Sequence, residues 1–275
     1  MIVEIVMGLI SNSLALIADA GHMLSDVLSI GITLLALNIA VRHQTSKFSF
    51  GYSRAEILVA LFNGFTLLVV SGYIIMEAIE RLGDERIILA PAMLMTAFLG
   101  LLVNIWALKY LKQHANHSVT LKSAYFHVLA DLLGSVAAIV AGILIIFTGM
   151  SIWDLIVSIL ISVLIAIPGL KIMKNTLLIL MQTTPANIDV DRIADDLRSN
   201  VMIEEVHDLH VWSLDGENTM LTAHLVVDEK YCQHDHQRIM NRVQTILLDN
   251  HNIEHSTLQI ENDSEKEMIN CIKCD

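Results

Sequence analysis

The chain has 275 residues, 54% of them hydrophobic, with a mean hydropathy of +0.59 and a formal net charge of −12. A sequence this apolar is not an ordinary soluble domain and requires membrane spans. Its acidity excludes nucleic acid as a partner, since nucleic acid selects basic faces.

The charge is unevenly placed. From Ala186 onward 19 acids stand against 7 Lys/Arg, and before Ala186 the counts are 10 and 10. The expected organisation is a neutral transmembrane domain over 1–185 and an acidic cytoplasmic domain over 186–275. Cys232, Cys271 and Cys274 all lie in the polar part. An odd count gives no disulfide framework, and Cys271-x-x-Cys274 fits a metal or redox pair better.

Six apolar segments follow in order. The first, 1–10, is short of the ~20 residues that cross a bilayer, so a helix shortened at its amino terminus is expected. The others cover about 14–41, 55–79, 89–111, 120–148 and 152–180, and each is long enough to span. The loop after the second segment carries Arg42, Lys47 and Arg54, and the loop after the fourth carries Lys109, Lys112 and Lys122. Lys171 and Lys174 lie near the end of the sixth. The loops after the first and fifth segments have no basic residue. This bias places the even loops, the tail and both termini in the cytoplasm.

After Thr183-Thr184-Pro185 the pattern becomes that of a small α+β domain. A short amphipathic helix is expected over Asp189–Ser199, with Asp189 or Asn187 as its N-cap. A strand over Glu204–Leu214, a turn at Asp215–Asn218 and a paired strand over Thr219–Val227 follow. A second helix over His234–Asn250 and a third strand over Ser256–Glu261 complete an αββαβ order, which suits a three-stranded sheet with both helices on one face. The polar residues Asn262–Asp275 form a tail.

The chemistry is concentrated in two spans. His22 and Asp26 are i,i+4 neighbours on the second, so they share a helix face, and Asp19 falls on the same face. His127 and Asp131 repeat that spacing on the fifth. Ionisable residues inside a span are costly and mark an ion or proton path. Such groups can instead pair with each other and set helix packing. Two identical pairs on separate helices favour metal: two imidazoles and two carboxylates form a tetrahedral set suited to zinc. Without a cation the carboxylates repel and take up protons, so metal and protons compete for the site. Asp19 is expected to support that site rather than add a fifth ligand. Glu4, Asn63 and Asn104 read as packing or hydration residues, and Glu56 as an ion-pair partner of Arg54.

The stretch Asn12-Ser13-Leu14-Ala15-Leu16-Ile17-Ala18-Asp19-Ala20-Gly21-His22-Met23-Leu24-Ser25-Asp26 resembles a signature of the cation diffusion facilitator family. Phe126-His127-Val128-Leu129-Ala130-Asp131-Leu132-Leu133-Gly134-Ser135-Val136 resembles its second signature. His207-Asp208-Leu209-His210-Val211-Trp212-Ser213 resembles the start of its cytoplasmic domain. The likeness covers essentially the whole chain and is closest in style to bacterial zinc efflux members and vesicular zinc transporters. It implies an α-helical membrane protein of six transmembrane helices with a copper-chaperone-like α+β cytoplasmic domain. It further implies a homodimer in the lipid bilayer that exchanges cytoplasmic Zn²⁺ for protons by alternating access. Histidine at both first positions resembles the zinc-preferring members. Some members bind a further metal in the loop after the second span, but the matching positions here are Phe48 and Tyr52, so that site is not expected. His43 in this loop reads as solvated, and His114 and His117 as a sparse version of a metal-gathering loop.

In the cytoplasmic part, His207, His210, His224, His234 and His236 cluster in sequence near the strands. By resemblance His207, His224, His236 and Glu261 match regulatory zinc ligands, with Gln259 where some relatives carry another. Cys271 and Cys274 resemble the terminal pair of vesicular zinc transporters. The function expected is a zinc/proton antiporter rather than an enzyme, with Zn²⁺ as substrate and regulatory ligand, in a bacterial inner membrane. A non-transporting zinc sensor and a zinc-dependent intramembrane hydrolase are the alternatives. The second is weakened by the lack of His-Glu-x-x-His and of an open coordination position.

Overall fold

The structure, a computed structural model, describes residues 1–40, 45–83, 87–114, 119–227 and 236–261. Cys232, His234, Cys271 and Cys274, with Arg42, His43 and His117, lie outside the described residues. The chain forms two compact units, one of residues 1–35 and 59–173, the other of residues 36–58 and 174–275.

Six apolar helices come first: α1 Ile2–Ser11, α2 Leu14–Ala40, α3 Ala55–Glu80, α4 Ala90–His114, α5 Val119–Thr148 and α6 Ile152–Leu180. The last five are long and apolar enough to cross a membrane, and α1 is a shorter apolar helix. Their packing is that of a bundle in lipid, where small residues let backbones approach. Ala15, Ala18, Ala78, Ala97, Ala138 and Ala141 sit in the core of the first unit, while Phe62, Trp106 and Phe147 are exposed. At Gly64 of α3 an added Cβ would lie 3.0 Å from the carbonyl oxygen of Gly169 in α6, so these two helices meet backbone to backbone. Gly169 follows Pro168, whose missing N–H interrupts the α6 ladder at the same level.

The start of α2 is held from outside its own sequence. Asn12 ends α1 in the left-handed region, with φ 58°. Ser13 then donates its hydroxyl to Asp154 Oδ1 at 2.6 Å, and the backbone N–H groups of Leu14 and Ala15 donate to the same carboxylate at 2.7 and 3.3 Å. Asp154 sits in the first turn of α6 and is fully buried. Two of the orphan donors that every helix amino terminus carries are thus satisfied across the bundle. Arg81, paired with Glu77 at 2.8 Å, donates to the Asn12 backbone carbonyl at 3.2 Å and fixes the α1–α2 corner from the end of α3.

The second unit contains α7 Val190–Arg198, β1 Ile203–Ser213, β2 Thr219–Val227, α8 His236–His251 and β3 His255–Glu261, in the expected αββαβ order. Asp189 caps α7 by accepting from the Arg192 N–H at 3.2 Å. The sheet order is β1-β2-β3, with β1 and β2 antiparallel. β3 runs parallel to β2, a direction the element order alone left open. Leu221, Ala223 and Leu225 of β2 alternate into a core shared with Ile193 and Leu197 of α7 and Ile239, Val243 and Leu247 of α8. His224 therefore points to the opposite face, free of that core.

The β1–β2 turn is closed by Asp215, whose carboxylate accepts from the N–H groups of Glu217 and Asn218 and from Asn218 Nδ2 at 3.0, 2.7 and 2.6 Å. Partial burial alone would raise this carboxyl, but the donors of Asn218 and Glu217 outweigh it and hold it below the usual aspartate range.

Candidate functional site

In the first unit α2 and α5 bring the two sequence pairs together. His127 Nε2 lies 3.2 Å from Asp26 Oδ2 and 3.8 Å from Asp131 Oδ2. His22 Nε2 lies 3.6 Å from Asp26 Oδ2 and 3.7 Å from Asp131 Oδ1. The imidazoles meet edge to face, with centroids 5.4 Å apart. Each histidine thus faces the carboxylate on its own helix and the one on the opposite helix. Donor atoms of His22, His127 and Asp131 all fall within 4.8 Å of one another, a spacing that a single ion can bridge. His22 Nδ1 is buried without a hydrogen-bond partner among the described residues.

The i,i+4 spacing does the local work: each helix stacks an imidazole one turn from a carboxylate. Small residues flank the pairs where the helices approach. Gly134, three residues beyond Asp131, places its missing Cβ 3.6 Å from Asp19 Oδ1, so Asp19 lies beside α5 next to the cluster without entering it. Asn63 accepts from Ser25 Oγ at 3.1 Å, and Asn104 donates to Ser135 Oγ at 3.4 Å, consistent with packing roles. Glu4 is buried beside Gly100. The Asp154 anchor described above was not singled out by sequence reasoning. Nothing in a lone Asp near the start of an apolar segment marks it as the cap of a helix 140 positions earlier.

The second unit carries another cluster. His207 and His224 are direct cross-strand partners of β1 and β2, and Glu261 of β3 pairs in register with Val226, two residues on from His224. His224 Nδ1 is 2.7 Å from Glu261 Oε1, and His207 Nε2 is 3.3 Å from Glu261 Oε2. The histidine rings lie 5.2 Å apart, and Glu261 is only 1% exposed. These three residues form the second described group whose donor atoms could hold one ion. Gln259 is the cross-strand partner of His224. His236 opens α8 and is exposed.

The sequence reading also missed Asp208. Its carboxylate lies 2.9 Å from His210 Nε2 and 3.7 Å from His224 Nε2. Strict alternation would turn Asp208 away from the face of His207. The register instead shifts between His207 and His210, and Asp208 has φ 48°, so the bulge brings it round beside His224. Left-handed backbone at an aspartate is tolerated there, but no sequence pattern announces it.

Comparison with known proteins agrees with both halves of this description. Residues 1–181 match the cation efflux transmembrane domain, and residues 185–263 match the cytoplasmic domain of cation efflux proteins. A Bacillus subtilis protein named cadmium, cobalt and zinc/H(+)-K(+) antiporter is 37% identical over 276 aligned residues, covering 100% of this chain and 88% of its own length. The Escherichia coli zinc transporter ZitB is 38% identical, with 95% of this chain and 83% of ZitB covered. The metal cation efflux system protein CzcD of Cupriavidus metallidurans is 35% identical, with 95% and 82% covered. With both domain types present in order and relatives aligned along nearly the whole chain, this integral membrane protein belongs to the cation efflux, or cation diffusion facilitator, family of transporters.

Proposed function

We propose that this protein exports zinc from the cytoplasm in exchange for protons, working as a homodimer by alternating access. The observation that carries the reading is the meeting of His22 and Asp26 on α2 with His127 and Asp131 on α5. Zinc is the cargo. Two carboxylates balance its charge, and two neutral imidazoles complete a tetrahedral donor set. The same carboxylates and imidazoles bind protons when the ion leaves, so one set of side chains carries either cargo or counter-ion. Asp19 supports the set from the neighbouring turn of α2. Alternating access then needs only that the paired helices expose these residues to one side at a time.

The names of the Bacillus subtilis and Escherichia coli relatives support a metal/proton exchanger that handles zinc. In this reading residues 1–185 form the transmembrane domain and residues 186–275 a cytoplasmic domain that joins two copies and senses zinc. His207, His224 and Glu261 are its sensing ligands, with His236, Cys271 and Cys274 as further candidates. The surplus of Lys/Arg in the even loops supports cytoplasmic termini, in a bacterial inner membrane.

The test is zinc uptake into proteoliposomes holding an imposed pH gradient. Wild-type protein accumulates zinc, and Asp131→Ala abolishes accumulation while reconstituting equally well. Undiminished uptake by Asp131→Ala would remove the site assignment.

A further inference from the structure

A cavity of about 450 Å³ opens in the second unit. It is lined by Phe48, Phe50, Tyr52 and Arg54 before α3 and by Trp212 and Leu214 at the end of β1. Its volume falls in the range of sites that hold small amphiphiles. The walls are aromatic: Phe48 and Tyr52 stack with centroids 4.6 Å apart, and Lys47 Nζ stands 6.0 Å from the Phe48 centroid.

Among the described residues of this lining Arg54 is the one charged side chain. Its Nε is buried without a hydrogen-bond acceptor among the described residues. The Arg54–Glu56 ion pair expected from the sequence does not form; Glu56 is exposed in the first turn of α3. A buried guanidinium nitrogen without an acceptor costs free energy unless an anion reaches it. A planar guanidinium suits the oxygens of a phosphate, which it can bind through two N–H groups.

The location decides where that phosphate comes from. Ala55 opens α3 and Gln182 follows α6, both lining the cavity. Four crossings, α3, α4, α5 and α6, lead from the start of α3 to the end of α6, so both ends lie at the same membrane face. Aromatic side chains and basic residues together at that level are the usual signs of an anionic headgroup site. We infer that this cavity binds an anionic phospholipid, its phosphate on Arg54 with Lys47 at the rim, and the upper part of an acyl chain among Phe48, Phe50, Tyr52 and Trp212. This goes beyond the exchange reaction and does not depend on it.

Trp106, Trp153 and Trp212 are the three tryptophans. A Trp106→Phe/Trp153→Phe protein therefore reports on the cavity alone. The full chain is reconstituted in phosphatidylcholine vesicles containing acyl-brominated phosphatidylglycerol or, separately, acyl-brominated phosphatidylcholine. Bromine quenches Trp212 fluorescence on contact. We expect the apparent affinity for the anionic lipid to be about fivefold higher, the contribution of one basic side chain at an anionic surface. Arg54→Gln should erase the preference, and Arg54→Lys should retain part of it, which separates lost charge from lost folding. Equal quenching by both lipids, or a preference that survives Arg54→Gln, would overturn the proposal. So would loss of the preference on adding soluble glycerol phosphate, which would make the ligand a free phosphate. An altered monomer–dimer distribution in Arg54→Gln with unchanged quenching would likewise overturn it, since a second copy would then occupy the cavity.

Discussion

Asp154→Ala tests how α2, the helix that carries His22 and Asp26, is held. In the structure its carboxylate accepts from Ser13 Oγ at 2.6 Å and from the N–H groups of Leu14 and Ala15 at 2.7 and 3.3 Å, with no solvent exposure. Alanine leaves two backbone donors buried and unpaired, at roughly 1–3 kcal/mol each. Removing the carboxylate also recovers part of its own desolvation cost, which is several kcal/mol for a buried ion. The net expectation is a loss of about 2–4 kcal/mol. Ser13→Ala removes only the hydroxyl bond, at about 1 kcal/mol. The double variant should lose less than the sum of the two, because both singles break the Ser13–Asp154 bond. The assay is thermal denaturation in detergent, followed by the fraction that stays monodisperse. A wild-type transition for Asp154→Ala, or strict additivity with Ser13→Ala, would refute the anchoring role.

Three further outcomes follow from the second unit. Leu225 is fully buried between the sheet and both helices, so Leu225→Ala should cost about 2–5 kcal/mol, read from loss of the domain's circular dichroism in urea. Glu261→Gln removes a donor that touches both His207 and His224. Zinc affinity, measured by titration calorimetry in a His22→Ala/Asp131→Ala background, should fall by more than the roughly 10–100-fold typical of losing a supporting partner. Asp215 is held below the ordinary aspartate value of about 4 by its turn donors against the opposing effect of burial. Its stabilising contribution is therefore complete above that value and is lost as pH falls through the lower, folded-state value. Asp215→Asn should lower stability at neutral pH and flatten that acid limb of the stability profile, so that the two proteins converge at low pH.

Much of this was legible in the residues because the governing patterns are local. Hydropathy runs set α2 to α6 within a few residues, since a helix in lipid must be apolar along most of its length. The His-x-x-x-Asp spacing is a one-turn rule, so its recurrence on α2 and α5 announced a shared site without knowledge of the packing. What the sequence hid depends on contacts between distant elements or on a departure from regular geometry. Asp154 caps α2 from α6, a relation set only by the bundle. Asp208 reaches His224 through a bulge that defeats the alternation rule. The parallel run of β3 beside β2 also needed the fold, because the element order permits either direction.

The central claim is that one set of four side chains carries zinc one way and protons the other. Its most direct test records both fluxes at once in proteoliposomes, with a zinc-sensitive dye inside and a pH-sensitive dye on the same vesicles. Zinc entry should be driven by an opposing proton gradient, should be accompanied by proton movement in the reverse direction, and should collapse when the gradient is dissipated. Asp26→Asn and Asp131→Asn should each abolish both signals together. Zinc flux that is indifferent to the proton gradient, or proton flux that persists in either variant, would contradict the account.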